Sequence, residues 1–239
     1  MEEKWVQQSQ EISSVLGLEK KVIAISFTNE EIKTSGKARI CTAIKKAGKG
    51  DSFVISEENS LCHGGSWHCG LTEPPRGKAR RAIQRFLTQG EKLTASIVSF
   101  HRMQGLLPPP TGLAERILIC PAEKAKIRPD AMLFLCNAEQ ACRLITLDHY
   151  WDGIPPSFEP GGSLCRSSIV YPIISGRTNA TFGDWTARRM TGFSAETVFV
   201  TIPYERIENL LLAIPECSAG IAEVVIPEDL RTQFEQEES

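Results

Sequence analysis

Short apolar runs alternate with helical patterns along the chain, and this alternation most constrains the fold. The clearest runs are Arg116 to Cys120 and Ala131 to Cys136, with others at Lys21 to Phe27, Phe53 to Ile55 and Glu196 to Ile202. Runs of this length, rich in β-branched residues, are typical of strands. Because strands and helices alternate without a strict β-α-β period, the sequence predicts an α+β fold: a mixed β-sheet with flanking helices.

Helical spacing and glycine or proline punctuation predict the connecting helices. Gly17 is expected to end the first helix, whereas Leu61 to Gly70 is expected to be a loop because its glycines weaken helices and strands. Leu93 to Phe100 is ambiguous between helix and strand, and Asn179 to Phe182 is a further strand. The predicted helices cover residues 4–16, 41–47, 74–87, 138–151 and 204–214, and a shorter one begins at Ser163.

The chain is expected to form a single α+β domain over residues 1–239. Its clearest break is the proline-rich segment from Leu107 to Gly112. On either side of that break, a cysteine that opens a helix is followed by a strand and a glycine-rich turn. This order suggests half-repeats at residues 18–107 and 113–226, related by a pseudo-twofold axis. The final residues, 233–239, are polar and are expected to be frayed.

Charge and hydropathy exclude several classes of protein. The formal net charge is −2 over 239 residues, which gives no electrostatic reason to expect nucleic acid as a partner. No apolar run approaches the ~18 residues of a membrane span. The acidic N-terminus lacks the order of a signal peptide. We therefore expect a cytoplasmic protein without a membrane or nucleic-acid partner, and homo-oligomerisation is left open.

Eight cysteines are more than packing requires in a chain that we expect to be cytoplasmic. In a reducing compartment they are unsuited to a disulfide framework. Some are expected to be buried thiols in the core, among them Cys120, Cys136 and Cys142. The densest chemistry lies in Leu61 to Gly70, which contains two cysteines, two histidines, three glycines and a tryptophan.

Thiolate ligands suit iron–sulfur clusters, zinc or copper(I). The spacing of Cys62 and Cys69 matches neither a zinc knuckle nor a common ferredoxin run, so a site would need ligands from distant segments. Cys41 and Cys165 are expected at helix starts, where backbone N–H groups favour a thiolate. His63 is a further candidate ligand.

Two alternatives remain open from the residues. A thiol-dependent enzyme would use Cys165 or Cys62 as its nucleophile and needs a base within hydrogen-bond reach. A protein that binds a small anionic ligand would use glycine-loop amides and arginine side chains, the cysteines then being packing. Residues considered for that ligand are Gly64, Gly65, the Gly161–Gly162 pair, Arg39, Arg166, Asp184 and Arg188. The basic residues between Arg76 and Arg85 are interpreted as the solvated face of a helix.

Several short motifs follow one another in a fixed order along the chain. They are Cys41-Thr42-Ala43, Cys62-His63-Gly64-Gly65 with Gly70-Leu71, Pro129-Asp130, Cys165-Arg166, the segment from Asn179 to Arg188, and Ile202-Pro203-Tyr204. Their order resembles domain-of-unknown-function family 169 (DUF169), an uncharacterised prokaryotic family, and the resemblance would cover roughly residues 5–220.

The resemblance implies a domain-length unit and no reaction. It singles out Cys41, Cys62 and Cys165 as the cysteines of the family pattern, whereas the position of Cys69 is usually aliphatic. Convergence of the three would suit a [4Fe–4S] cluster with one iron open or held by Cys69 or His63. The leading expectation is a metal-binding or iron–sulfur protein that acts on a small molecule or with a redox partner, the alternatives being zinc or no metal.

Overall fold

The structure is a computed structural model that describes residues 3–33, 35–106, 112–159 and 163–227. The strands are β1 (Ile23–Thr28), β2 (Phe53–Ser56), β3 (Arg116–Pro121), β4 (Ala131–Cys136), β5 (Ser157–Phe158), β6 (Asn179–Thr181) and β7 (Val198–Pro203). The α-helices are α1 (Lys4–Leu16), α2 (Ile40–Ala47), α3 (His63–His68), α4 (Gly77–Arg85), α5 (Ile97–Leu106), α6 (Ala138–His149), α7 (Tyr171–Ser175), α8 (Trp185–Thr191) and α9 (Ile207–Ala213). Two π-helical segments, Phe86–Gly90 and Arg166–Val170, and 3-10 turns at Ala122–Lys124 and Tyr204–Arg206 complete the elements.

The strands form one seven-stranded sheet in the order β2-β3-β1-β4-β7-β6-β5. Its neighbours are antiparallel except β5 and β6, which run parallel with Ser157 opposite Asn179. At the centre, β1 pairs with β4, with Ile23 opposite Leu133. The predicted α+β class with a mixed sheet is confirmed.

Alternating residues of the central strands pack into two separate hydrophobic cores, one on each face of the sheet. Ala24 and Met132 belong to the core under α1, α6 and α9. Ile25 and Leu133 belong to the core that faces α2 and the π-helical segment Arg166–Val170. The sheet is therefore covered on both faces, and the second face carries the cysteine-rich elements.

Two helix termini show how local sequence sets the elements. Gly17 ends α1 in the left-handed region, with φ 61°, as its glycine predicts. Asn137 and Gln140 form a reciprocal capping box at the start of α6, in which each side chain accepts a hydrogen bond from the other residue's backbone N–H.

The prediction of a loop over Leu61 to Gly70 is wrong, because His63–His68 forms α3. The Cys62 thiol caps this helix by accepting a hydrogen bond from the Gly65 N–H at 3.2 Å. His68 and Cys69 are buried beneath it, so packing outweighs the low helix propensity of glycine. Gly70, at φ 70°, then turns the chain away.

Other predictions have mixed outcomes. The ambiguous segment from Leu93 continues into α5 and contains no strand. The pseudo-twofold repeat is not confirmed: β3, the first strand of the second predicted half, lies between β2 and β1 of the first half, so the two halves are not separate units of the sheet. The predicted break at Leu107 to Thr111 and the predicted frayed end at 233–239 lie outside the described residues. Within the described ranges, no helix combines the length and apolarity that crossing a lipid bilayer requires.

Three cysteines were predicted to be core thiols, and two of them are. Cys120 and Cys136 are buried at the ends of β3 and β4, whereas Cys142 lies on the exposed side of α6, so that prediction is wrong for Cys142. Burial raises the pKa of Cys120 to about 11 and that of Cys136 to about 12, from 9.0.

The fold should therefore lose stability in alkaline solution. Both thiols stay neutral in the folded state but ionise near pH 9 when unfolded, so the stability they contribute is complete below pH 9 and is lost as pH rises toward 11 and 12. Between pH 9 and 10 these two thiols should together lower the free energy of unfolding by about 2 kcal/mol. Urea unfolding of metal-free protein at the two pH values measures the change. Cys136→Ala should remove about 1 kcal/mol of it, and Cys142→Ala, at an exposed position, is the control; an equal pH dependence in all three proteins would contradict the assignment.

Candidate functional site

Three cysteines from distant parts of the sequence line one cavity of about 470 Å³. Cys41 lies in the first turn of α2, Cys62 caps α3, and Cys165 directly precedes the π-helical segment Arg166–Val170. We call this cavity the thiol pocket. Its lining residues are Arg39, Cys41, Leu61, Cys62, His63, Gly64, Gly65, Trp67, His68, Ala82, Ile83, Phe86, Leu87, Leu93, Ser163, Cys165, Asp184, Thr186, Ala187 and Met190.

Gly65 lies between two of these thiols. A methyl group at its Cβ position would stand 3.4 Å from Cys62 Sγ and 3.5 Å from Cys165 Sγ. The two sulfurs are therefore no farther apart than the sum of these distances. The missing side chain of Gly65 leaves the space between the sulfurs clear on that side.

Cys69 occupies a different position from the three lining cysteines. It is fully buried behind the pocket, and its thiol donates to the Cys165 carbonyl oxygen at 4.0 Å. Of the two histidines nearby, His63 is exposed at the pocket mouth and His68 is buried. Cys69, one predicted fourth ligand, therefore lies outside the lining of the pocket. His63, the other, lies at the pocket mouth.

The pocket opposes negative charge on its thiols. Burial, followed by the neighbouring Cys165 thiol, raises the pKa of both Cys41 and Cys62. The hydrogen bond with Cys69, burial and Asp184 raise the pKa of Cys165 well above its usual range. Without a metal ion beside them, the three thiols are therefore expected to be protonated at neutral pH.

Smaller local effects act in the opposite direction. The Gly65 N–H and the Arg39 guanidinium both lower the pKa of Cys62, and the Thr42 backbone N–H lowers that of Cys41. N–H donors directed at sulfur stabilise a thiolate once its proton is lost. These contacts would therefore stabilise the thiolate form of Cys41 and Cys62 if each sulfur bound a metal.

Asp184 positions the elements around Cys165. Its Oδ1 accepts from the Ala187 N–H at 2.8 Å and so caps α8. Its Oδ2 accepts from the Leu164 N–H at 2.7 Å, one residue before Cys165. Both carboxylate oxygens therefore hold backbone, and the carboxylate joins α8 to the third cysteine.

The three predicted arginines have different environments. Arg39 lines the thiol pocket, and its Nη1 contacts the Met190 sulfur at 3.7 Å. Arg188 donates to four backbone carbonyls, which ties the turn after α8 together. Arg166 is buried, and burial lowers its pKa to about 10. Neither Arg166 nor Arg188 lines the pocket, and the Gly161–Gly162 pair lies outside the described residues.

Sequence reasoning missed the apolar wall of the pocket. Ile83, Phe86 and Leu87 line it from α4 and the following π-helical segment, and Leu93 and Met190 complete the rim. The basic residues between Arg76 and Arg85 indicate only the solvated face of this helix. The spacing of the three apolar residues, i, i+3 and i+4, is the signal that marks the opposite face.

Single-ion coordination is not preformed. Among the residues that the structure describes, no group of three or more His, Cys, Asp or Glu is arranged to hold a metal ion with its present side-chain positions. The thiols line a shared cavity, but a mononuclear site would require them to move closer together.

Comparison with known proteins gives one match. No curated protein and no solved structure matches the chain. The family model described as "Uncharacterised ArCR" (DUF169) matches residues 11–212. This range holds Cys41, Cys62 and Cys165 and all seven strands of the sheet. The chain belongs to the DUF169 family.

Proposed function

We propose that the protein binds an iron–sulfur cluster in the thiol pocket, with Cys41, Cys62 and Cys165 as ligands. One observation carries the proposal: the three cysteines of the family pattern are the three that line a single cavity. The remaining cysteines, Cys69, Cys120, Cys136, Cys142 and Cys217, do not line it. Packing alone gives no reason for that selection.

The spacing favours a cluster over a single ion. Structural zinc needs four ligands around one point, with each thiolate about 2.3 Å from the metal. Thiolates on different irons of a cluster stand farther apart, since each holds its own iron. A cluster therefore suits thiols that line a cavity without touching. With three cysteine ligands, a [4Fe–4S] cluster keeps one iron that faces the cavity.

The raised thiol pKa values make metal binding depend on pH. The raised pKa values of Cys41 and Cys62 mean that metal must displace protons from the thiols. Binding should therefore strengthen as pH rises toward 9. The same raised values weigh against the alternative of a thiol enzyme, because a nucleophilic cysteine needs a lowered pKa.

A second candidate function is the binding of a small organic molecule, with the cysteines as packing. The apolar wall formed by Ile83, Phe86 and Leu87 favours it, since ligand pockets are lined mainly by apolar side chains. The two functions are compatible, because a cluster at the floor leaves the apolar wall free. The cytoplasmic location and a redox partner remain predictions from the sequence.

Iron and sulfide analysis of protein purified without oxygen tests the leading proposal. After reconstitution with ferrous iron and sulfide, the protein should show a broad band near ~400 nm and about four irons per chain. Zinc analysis runs in parallel. A colourless protein that takes up neither iron nor zinc, although folded by circular dichroism, would overturn the proposal and leave organic-ligand binding.

A further inference from the structure

We infer that the thiol pocket takes a small organic anion with an apolar body, its anionic group held by Arg39. The inference deepens the proposed function, because it names the class of molecule that would meet the open side of the cluster. It rests on the cavity itself, so it can also fail or succeed without a metal.

The cavity has the size and walls of a small-molecule site. Its volume of about 470 Å³ falls within the ~300–1,000 Å³ of such pockets. Leu61, Phe86 and Met190 remain 56%, 44% and 44% exposed at its rim. An apolar ligand body would cover these side chains and so gain the free energy of removing them from water.

One cation lies in this apolar lining. Arg39 is the only lysine or arginine among the described residues that line the pocket. Its recorded hydrogen-bond acceptor is the Met190 sulfur, a weak acceptor. A carboxylate or sulfonate would offer the guanidinium two strong acceptors in the geometry that it prefers.

The position of Arg39 sets the orientation of such a ligand. Arg39 lines the cavity together with Cys62 and contacts Met190, whose side chain is exposed at the rim. The anionic group would therefore bind on the Arg39–Met190 side of the cavity, and the apolar body would lie against Phe86 and Leu87.

Asp184, the carboxylate that lines the pocket, does not indicate a different class of ligand. Both oxygens of Asp184 accept backbone N–H groups, so its charge is already engaged in holding Leu164 and Ala187. A single guanidinium matches one anionic group, whereas a nucleotide's phosphate chain would need several cations or a phosphate loop, which the sequence lacks.

A matched pair of fluorescent dyes tests the inference on the metal-free protein. Anilinonaphthalene sulfonate and phenylnaphthylamine share one aromatic skeleton and differ by the sulfonate. Each should bind with one saturable site and a rise in fluorescence. Arg39→Gln should weaken the anionic dye about tenfold, the scale of one charge-assisted contact, and the neutral dye less than twofold.

Three further variants locate the site. Phe86→Ser, at an exposed rim position, should weaken both dyes. Arg128→Gln removes an exposed arginine beside Tyr204, away from the pocket, and Phe158→Ala removes an exposed aromatic ring. Both should leave the affinities unchanged. Equal affinity of the anionic dye for wild type and Arg39→Gln would overturn the inference, as would loss of dye binding in the Phe158 variant alone.

The outcomes for cluster and anion can be told apart. A reconstituted protein with iron but no effect of Arg39→Gln on the sulfonate dye supports the cluster and rejects the anion. Dye binding that depends on Arg39, in a protein that never takes up iron, supports the anion and rejects the cluster.

Discussion

Cys41→Ala, Cys62→Ala and Cys165→Ala should each lose most of the bound iron and at least tenfold of the absorbance near ~400 nm after reconstitution. Each variant removes one of the three thiols that line the pocket. Cys41 is half-buried, so alanine there should leave the fold intact. Cys62 caps α3 and Cys165 is buried, so both replacements need a thermal-melting check before their iron content is interpreted.

Two controls make this series specific. Cys142→Ala changes an exposed cysteine outside the pocket and should retain the full iron content. Cys69→Ala removes the thiol behind Cys165 and should retain the cluster as well, since Cys69 does not line the pocket. Iron loss in the Cys69 variant would make Cys69 the fourth ligand. Full iron retention in Cys62→Ala would refute ligation by the pocket thiols.

Asp148→Ala should lower the free energy of unfolding by about 2–3 kcal/mol, because it removes the buried carboxylate that accepts two hydrogen bonds from Arg206 and leaves the guanidinium with Asp152 as its remaining carboxylate partner. Arg206 Nε donates to Asp148 Oδ1 at 2.8 Å, and Nη2 donates to Oδ2 at 3.2 Å. The Asp148 side chain is 1% exposed and that of Arg206 is 13% exposed. Water therefore reaches little of this pair and replaces the lost carboxylate only in part.

Asp152→Ala is the matched control for this pair. Asp152 accepts from the same guanidinium at 3.0 Å, but its side chain is 28% exposed, so its loss should cost about 1 kcal/mol or less. Urea denaturation of the three proteins gives the comparison. Similar midpoints for both variants would mean that the buried pair adds no more than the exposed one. α6 and the thiol pocket lie on opposite faces of the sheet. The folded Asp148→Ala variant should therefore still bind iron.

The strands could be predicted because their signal is local. Arg116–Pro121 and Ala131–Cys136 are apolar runs that form β3 and β4 almost without change of boundary. The short helix α3 could not be predicted in the same way. Its stability depends on the Cys62 cap and on burial of Cys69, and both effects are set by tertiary packing.

The site could be predicted only in part. The family pattern selected Cys41, Cys62 and Cys165, and the structure brings them to one cavity. The wall that faces them comes from α4 and the segment after it, and no property of the cysteine motifs reveals which helix lies opposite. Arg188 shows the converse difficulty: its sequence motif is specific, yet its guanidinium binds backbone carbonyls.

The sheet order has a consequence for the biogenesis of the protein. The strands β1–β3 occupy one side of the sheet and β4–β7 the other, and the two sides meet at the β1–β4 pair. Cys41 and Cys62 belong to the first side, whereas Cys165 belongs to the second. A nascent chain that has emerged only as far as α6 therefore holds two of the three pocket thiols. Loading of the proposed cluster would then have to follow translation of Cys165, so incomplete chains would not be filled.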